Sequence, residues 1–324
     1  KISLDSTETD EEKKTSLRPL SLNEFIGQQF IKSNLEAYIE SSKKRKENLD
    51  HIILYGPPGL GKTSLAHIIS NEKNVNFHST SGPAFTKKGD LVTLLSNMME
   101  GDILFIDEIH RLSPIIEETL YPAMEDYKCD YVIGSGPSAR VVQISIEKFT
   151  LIGATTRLGL LSRPLRDRFG IPLQLSFYEP EDLMKIIILN SNKLKFLISE
   201  DSAYEIAKRS RGTPRIAIRL LKRIIDFSIV NEEDKIDLKS AKESLKKMKI
   251  DSEGLDEMDR KYMNCIAYDF HGGPVGIETL SAALLEHKDI IEDVIEPYLM
   301  QRGLVQRTSR GRILSQKGLE HIKQ

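Results

Sequence analysis

The chain has no tryptophan and only two cysteines, Cys129 and Cys265. They lie far apart in sequence, with no metal-ligand spacing around them, which excludes a disulfide framework and a zinc knuckle and suits a reducing compartment. No apolar run approaches the ~20 residues that cross a bilayer, and no apolar signal-peptide core follows the first residues. The expected location is therefore the cytoplasm, with no membrane partner. One-sided charge is missing too: the net charge is −2 over 324 residues. Any contact with nucleic acid has to come from a local patch. There is no internal repeat. The composition, 40% hydrophobic and 29% charged, is that of an ordinary soluble protein long enough for two or three domains.

What is present is organised around Gly56-Pro57-Pro58-Gly59-Leu60-Gly61-Lys62-Thr63, which fits the phosphate-loop pattern G-x-x-x-x-G-K-[ST] at every fixed position. His51 to Tyr55 before it reads as a buried strand and Ser64 to Ser70 after it as a helix. That context gives the motif its chemistry. Glycines without a Cβ let backbone N–H groups close on phosphate oxygens, and the helix N-terminus adds its positive end. Lys62 supplies a mobile charge to the β- and γ-phosphates, and the Thr63 hydroxyl takes one place on Mg²⁺. The implied ligands are ATP or ADP with Mg²⁺.

A second run, Asp102-Ile103-Leu104-Phe105-Ile106-Asp107-Glu108, is a strand buried on both faces that delivers two acids at its carboxyl end. Asp107 is placed to hold Mg²⁺ through its water shell, and Glu108 to polarise the attacking water. A third buried strand, Phe149 to Ala154, ends in Thr155 and Thr156, either γ-phosphate sensors or a simple strand cap. Arg163-Pro164-Leu165-Arg166-Asp167-Arg168 follows. It is either a solvated basic loop or the source of a cation for the transferring phosphoryl group. Between these strands, Gly134, Gly136 and Pro137 separate two β-branched runs. They predict a hairpin over about 127–147, either a partner-binding device or a plain sheet edge.

Residues 1–16 read as a charged, solvated tail. From Tyr178 the pattern is wholly helical, with stripes at Leu183, Ile186, Ile187 and at Ile216, Leu220, Ile224. Arg215 falls in a first helical turn, where the helix dipole disfavours a cation. It is either a surface arginine or one that reaches the nucleotide. After Gly254, helical stripes lead to a glycine-bearing two-strand turn, Gln306 to Ile313, a winged-helix pattern. From Gln301 to the end there are six basic residues against Glu320 alone, which predicts a nucleic-acid-facing wing or a solvated turn.

Taken together, these motifs resemble the RuvB family of AAA+ ATPases, bacterial Holliday-junction branch-migration motors. The resemblance runs from Leu17 to about Gly318. It is carried by Leu17-Arg18-Pro19, Glu24-Phe25-Ile26-Gly27-Gln28, the phosphate loop, Asp107 to His110, Gly134 to Arg140, Gly153 to Arg157, Pro164 to Gly170, Gly212 to Arg215, Gly272 to Gly276 and Gln306 to Arg312. Arg163 and Ser309 stand where Ser and Pro are expected. The implied fold is α/β: an AAA+ P-loop core with a parallel sheet over 17–177, a small all-helical lid over 178–249 and a winged-helix domain over 250–324.

The resemblance also implies roles. Leu17, Arg18 and Ile26 would hold the nucleotide from the N-terminal side, Gly59 to Ser64 would cradle it, and Tyr178 and Arg215 would close on it from the lid. Glu125, Asp126 and Tyr127 would lie near it. Thr156 would sense its phosphate, and Arg168 would enter a neighbour's site as an arginine finger. The hairpin near Ile133 would grip RuvA, with RuvC as a further partner. Arg307 and Arg312 would touch DNA, and the active form would be a hexameric ring around duplex DNA. A clamp loader, the nearest alternative, lacks support because no Ser-Arg-Cys occupies the finger position. An ATP-gated DNA-binding switch is the other.

Overall fold

The computed structural model describes residues 17–133 and 140–323, and the side chains of 131–133 and 141 lie outside that description. The expected tail and the glycine turn of the hairpin, Gly134 to Ala139, therefore fall outside the described residues. The chain forms two compact units. One runs to Gly56 and resumes over Gly61–Ser176; the other takes Pro57–Leu60 and everything from Phe177 on.

The first unit is built on strands β1 (Ile52–Tyr55), β2 (Phe77–Ser81), β3 (Ile103–Asp107), β6 (Thr150–Thr155) and β7 (Ile171–Gln174). They form one sheet in the order β2-β3-β6-β1-β7, every pairing parallel. Parallel strands take helices on their faces, so their side chains are apolar in succession rather than alternately. The six residues of β6 are all buried, as are Ile103 to Ile106 of β3 and Ile52 to Leu54 of β1. The register sets Tyr55 beside Thr155 and Ile106 beside Gly153. The carboxyl ends of β1, β3 and β6 thus lie side by side, and Gly56, Asp107 and Thr155 share one edge.

Helix Pro114–Glu125 buries Ile116, Leu120, Ala123 and Met124 in the core under this sheet. It leads into the antiparallel pair β4 (Lys128–Ile133) and β5 (Arg140–Ser145), the strands of the expected hairpin.

In the second unit, helices Pro180–Lys193, Glu200–Lys208, Pro214–Val230 and Leu238–Lys247 pack beside two short parallel strands, β8 (Leu197–Ile198) and β9 (Lys235–Ile236). Beyond them a separate core gathers Leu255, Tyr262, Ile266, Leu280, Leu299 and Leu314. It lies under helices Glu257–Asn264, Ile277–Leu284 and Glu296–Gln301 and the antiparallel wing of β10 (Val305–Thr308) and β11 (Gly311–Leu314).

Candidate active site

In the first unit, the loop leaving β1 needs glycine for a measurable reason. Gly56 has φ +140°, and a Cβ there would sit 2.3 Å from the Leu175 carbonyl oxygen. Gly61, also at positive φ, caps helix Lys62–Lys73 with no side-chain acceptor on the helix's first N–H groups. These are the groups an anion satisfies. Lys62 is buried and curls back so that Nζ donates to the Gly56 carbonyl at 2.8 Å. Thr63 and Ser64 follow it in the first turn, half-buried.

On the same edge, Asp107 Oδ1 accepts from the Glu108 N–H at 2.9 Å. Glu108 is exposed at φ +47°, with Arg111 Nη1 2.9 Å from its Oε2. The two threonines after Ala154 divide sharply. Thr155 is buried, its Oγ1 2.9 Å from His110 Nδ1 and accepting from the Arg157 N–H at 3.0 Å. Thr156 is exposed just past the strand. Among the described residues no group of three or more His, Cys, Asp or Glu could hold a metal by itself. One hydroxyl on Thr63 and one carboxylate on Asp107 suit a Mg²⁺ whose remaining ligands are phosphate oxygens and waters.

Leu17 is buried, Ile26 half-buried and Arg18 exposed. Burial, and after it the Arg18 charge, holds His67 below its ordinary pKa.

The second unit brings four expected residues together. Gly59, at φ +82°, would place a Cβ 3.0 Å from that of Arg215. The Arg215 N–H donates to the Gly59 carbonyl at 3.3 Å, and the buried Tyr178 hydroxyl donates to the Leu60 carbonyl at 3.2 Å. Tyr178 is held in turn by its own N–H on the Gly212 carbonyl at 2.8 Å.

Arg168 sits in a cluster the sequence reading did not find. Its Nη1 donates to the Pro164 carbonyl at 2.7 Å, and its Nη2 lies 3.1 Å from Glu125 Oε1. Its guanidinium carbon stands 4.4 Å from the centre of the Tyr121 ring. The Tyr121 hydroxyl donates to Glu117 Oε2 at 3.1 Å and lies 3.2 Å from Ser162 Oγ. Burial, the largest effect on this phenol, pushes its pKa up. The signal was available: Glu117, Tyr121 and Glu125 recur every fourth residue, one face of a helix. Asp126 is exposed, while the Tyr127 ring packs edge-on against Phe149 at 6.2 Å.

The wing sets its two arginines in different surroundings. Arg307 and Arg312 are direct cross-strand partners, as a hairpin requires, but they do not both project outward. Arg312 is buried, its Nε donating to Glu296 Oε1 and its Nη2 to Glu292 Oε1, each at 2.8 Å. Arg307 Nη2 reaches Glu296 Oε2 at 2.6 Å, and the Tyr262 hydroxyl donates to Glu296 Oε1 at 2.9 Å. Burial pulls the Glu296 pKa up, but these donors together outweigh it and hold the carboxyl below its ordinary range. The charge count from Gln301 missed both acids because they precede that residue. Arg302 is paired with Glu253 as well, whereas Arg310 at the turn is exposed.

A parallel sheet with a phosphate loop and two acids on one edge, joined in one chain to a helical lid and a winged-helix unit, defines an AAA+ P-loop ATPase. Family models narrow this further. The Holliday junction DNA helicase RuvB P-loop domain matches residues 17–175, the RuvB AAA lid domain 178–251, and the RuvB C-terminal winged helix domain 252–323. Among solved structures, the Thermotoga maritima RuvB Holliday junction branch migration motor is 49% identical over 95% of this chain and 98% of its own, with a TM-score of 0.88. Two variants of that protein, one with lysine changed to arginine and one with arginine changed to alanine, are each 48% identical over the same shares, with a TM-score of 0.88. The chain belongs to the RuvB family.

Proposed function

We propose that this protein is an ATP-driven motor that translocates duplex DNA and so moves the branch point of a Holliday junction. The observation that carries the reading is the match to the Thermotoga motor across 98% of that chain, together with the RuvB winged-helix match over 252–323. In the proposed reaction the loop from Gly59 to Ser64 binds the phosphates, and Lys62 neutralises them. Glu108 orients and polarises the water for in-line attack. Mg²⁺, held through Thr63 and Asp107, would offset charge between the phosphates. Thr156 senses the γ-phosphate, and Leu17, Arg18, Ile26, Tyr178 and Arg215 hold the nucleotide. Glu125, Asp126 and Tyr127 border it, and Arg168 completes a neighbouring subunit's site.

The proposed working form is a cytoplasmic hexameric ring, with RuvA on the hairpin near Ile133 and RuvC acting on the same junction. Each subunit is read as a large ATPase domain over 17–177, a lid over 178–249 and a winged helix over 250–324. In the wing, Arg307 meets phosphates first, and Arg312 does so only by exchanging Glu292. The test is ATP-driven branch migration of a synthetic four-way junction, with and without RuvA. Movement that requires ATP and is stimulated by RuvA is expected. Nucleotide-dependent binding without movement, even with RuvA, would make the protein a switch and overturn the motor.

A further inference from the structure

Arg168 is held by its own chain in a way that leaves it half committed. Of its five N–H donors, one on Nη1 is on the Pro164 carbonyl, one on Nη2 faces Glu125, and the buried Nε–H has no acceptor among the described residues. Two remain, the number a phosphate accepts side by side. Beneath the guanidinium lies the Tyr121 ring, and that ring is itself fixed. Its hydroxyl is tied to Glu117 and Ser162, and Ser162 Oγ also caps the short helix Arg163–Arg166 that carries the chain toward Arg168.

We propose that Tyr121 is a positioning residue for Arg168: its ring face is the platform that aims the guanidinium, and the Glu125 carboxylate is a placeholder that a nucleotide phosphate displaces. This rests on reading Arg168 as the arginine finger. The chemistry of the three contacts fits such a device. A ring face attracts a cation lying over it whichever anion that cation is paired with, so the guanidinium keeps its seat while exchanging anions. Glu125 is about half exposed, so its pairing with Arg168 is weak and open to competition. A phosphate carries more charge and offers a matching bidentate edge. Tyr121 is a neutral phenol near neutral pH, and burial pushes its pKa further up, so it offers the cation a π face rather than a competing charge.

The experiment compares Tyr121→Phe, Tyr121→Leu, Arg168→Ala and the Tyr121→Leu/Arg168→Ala double variant in the assembled full-length protein. ATP turnover, KM for ATP and thermal melting are measured for each. Tyr121→Leu fills the site without a π face and should lower kcat on the order of 10- to 100-fold, with KM and melting little changed. Tyr121→Phe should stay within a few-fold of the parent. The double variant should be no slower than Arg168→Ala alone, because the platform acts only through the arginine.

Multiplying losses in the double variant would overturn the proposal, as would Tyr121→Phe failing as badly as Tyr121→Leu. A slow Arg168→Ala with a normal Tyr121→Leu would sink the platform and leave the finger standing. A fully active Arg168→Ala would sink both. Should Tyr121→Leu melt early, Tyr121→Phe and Tyr121→Met, matched for melting, decide the same question.

Discussion

Arg168 and Arg312 are the same residue in opposite settings. Arg312 has 8% of its side chain exposed and is paired with Glu296, which has 1%. Arg168 has 22% exposed and faces a Glu125 carboxylate that is 55% exposed. Removing one partner of a buried pair leaves a charge with neither water nor counter-ion, at a cost of about 3–5 kcal/mol. Exposed pairs contribute about 0–1 kcal/mol, because water replaces the partner readily. The wing arginine is therefore fixed in the fold, and the ATPase-domain arginine is available for exchange. The two regions differ in what they stand to lose: altering the ATPase-domain arginine should cost chemistry, and altering the wing arginine should cost structure.

The largest test of this contrast is Glu108→Gln. Glu108 is exposed, and its pairing with Arg111 is exposed on both sides, so melting should barely move. Hydrolysis should fall by roughly 10²–10⁴-fold, the usual contribution of a general base, while ATP binding persists through Lys62. Near-normal single-turnover hydrolysis would show that another group polarises the water.

The converse is Glu296→Ala. It takes the buried carboxylate from Arg312 and Arg307, leaves them only the half-buried Glu292, and frees the Tyr262 hydroxyl. Stability of the winged-helix unit should drop by about 3–5 kcal/mol, read as an earlier transition in thermal or urea unfolding. DNA-independent hydrolysis should survive in the portion still folded. The pH dependence carries a sign. Glu296 has a folded pKa below its unfolded one, so its stabilisation is complete above the ordinary carboxylate range and is lost as pH falls through the folded value. The gap between the parent and Glu296→Gln should accordingly narrow in acid. A gap that widened would mean the carboxyl is protonated at neutral pH.

This contrast also separates what could be read from sequence from what could not. The phosphate loop, the β3 acids and the parallel core are legible because each is local: strand, turn and helix within a few residues, with apolar runs that only a two-sided burial explains. Tyr178 and Arg215 are far from the loop in sequence: only the family resemblance pointed to Tyr178, and for Arg215 the helix-dipole argument left a plain surface arginine open. The ionic networks were illegible because their partners are distant. Arg312 finds Glu296 16 residues away, and Tyr262 finds it 34 away. A charge count over a chosen window assigns those arginines to the surface. Burial is a tertiary property, and it decided the matter.

Arg307 lies between the extremes, with 45% of its side chain exposed although one partner is buried Glu296. Glu296 would keep Arg312 and Tyr262 after its loss, so Arg307→Ala should cost far less stability than Glu296→Ala. If Arg307 gives its exposed donors to DNA phosphates, each contact releases counterions, and the log–log salt slope of duplex binding should flatten by roughly 0.9. The loss should be equal on unrelated sequences, because phosphates carry no sequence information. An unchanged slope would mean that Arg307 serves the fold and does not hold DNA phosphates.

The smallest effect is expected at Glu125→Gln. The residue ends helix Pro114–Glu125, where the helix dipole disfavours a negative charge. Removing that charge returns some of what the lost pairing with Arg168 takes away. Gln keeps the side-chain volume and an oxygen for the same Nη2, and Arg168 keeps the Tyr121 ring and the Pro164 carbonyl. Unfolding free energy should change by less than about 1 kcal/mol, and any difference should shrink further in high salt, as exposed charge pairs are screened. Denaturant unfolding of the parent and the variant at low and high salt measures this. A loss above about 2 kcal/mol, insensitive to salt, would mean that the Arg168 pair is buried in the folded protein as Arg312's is, and the distinction between an exchangeable arginine and a fixed one would fall.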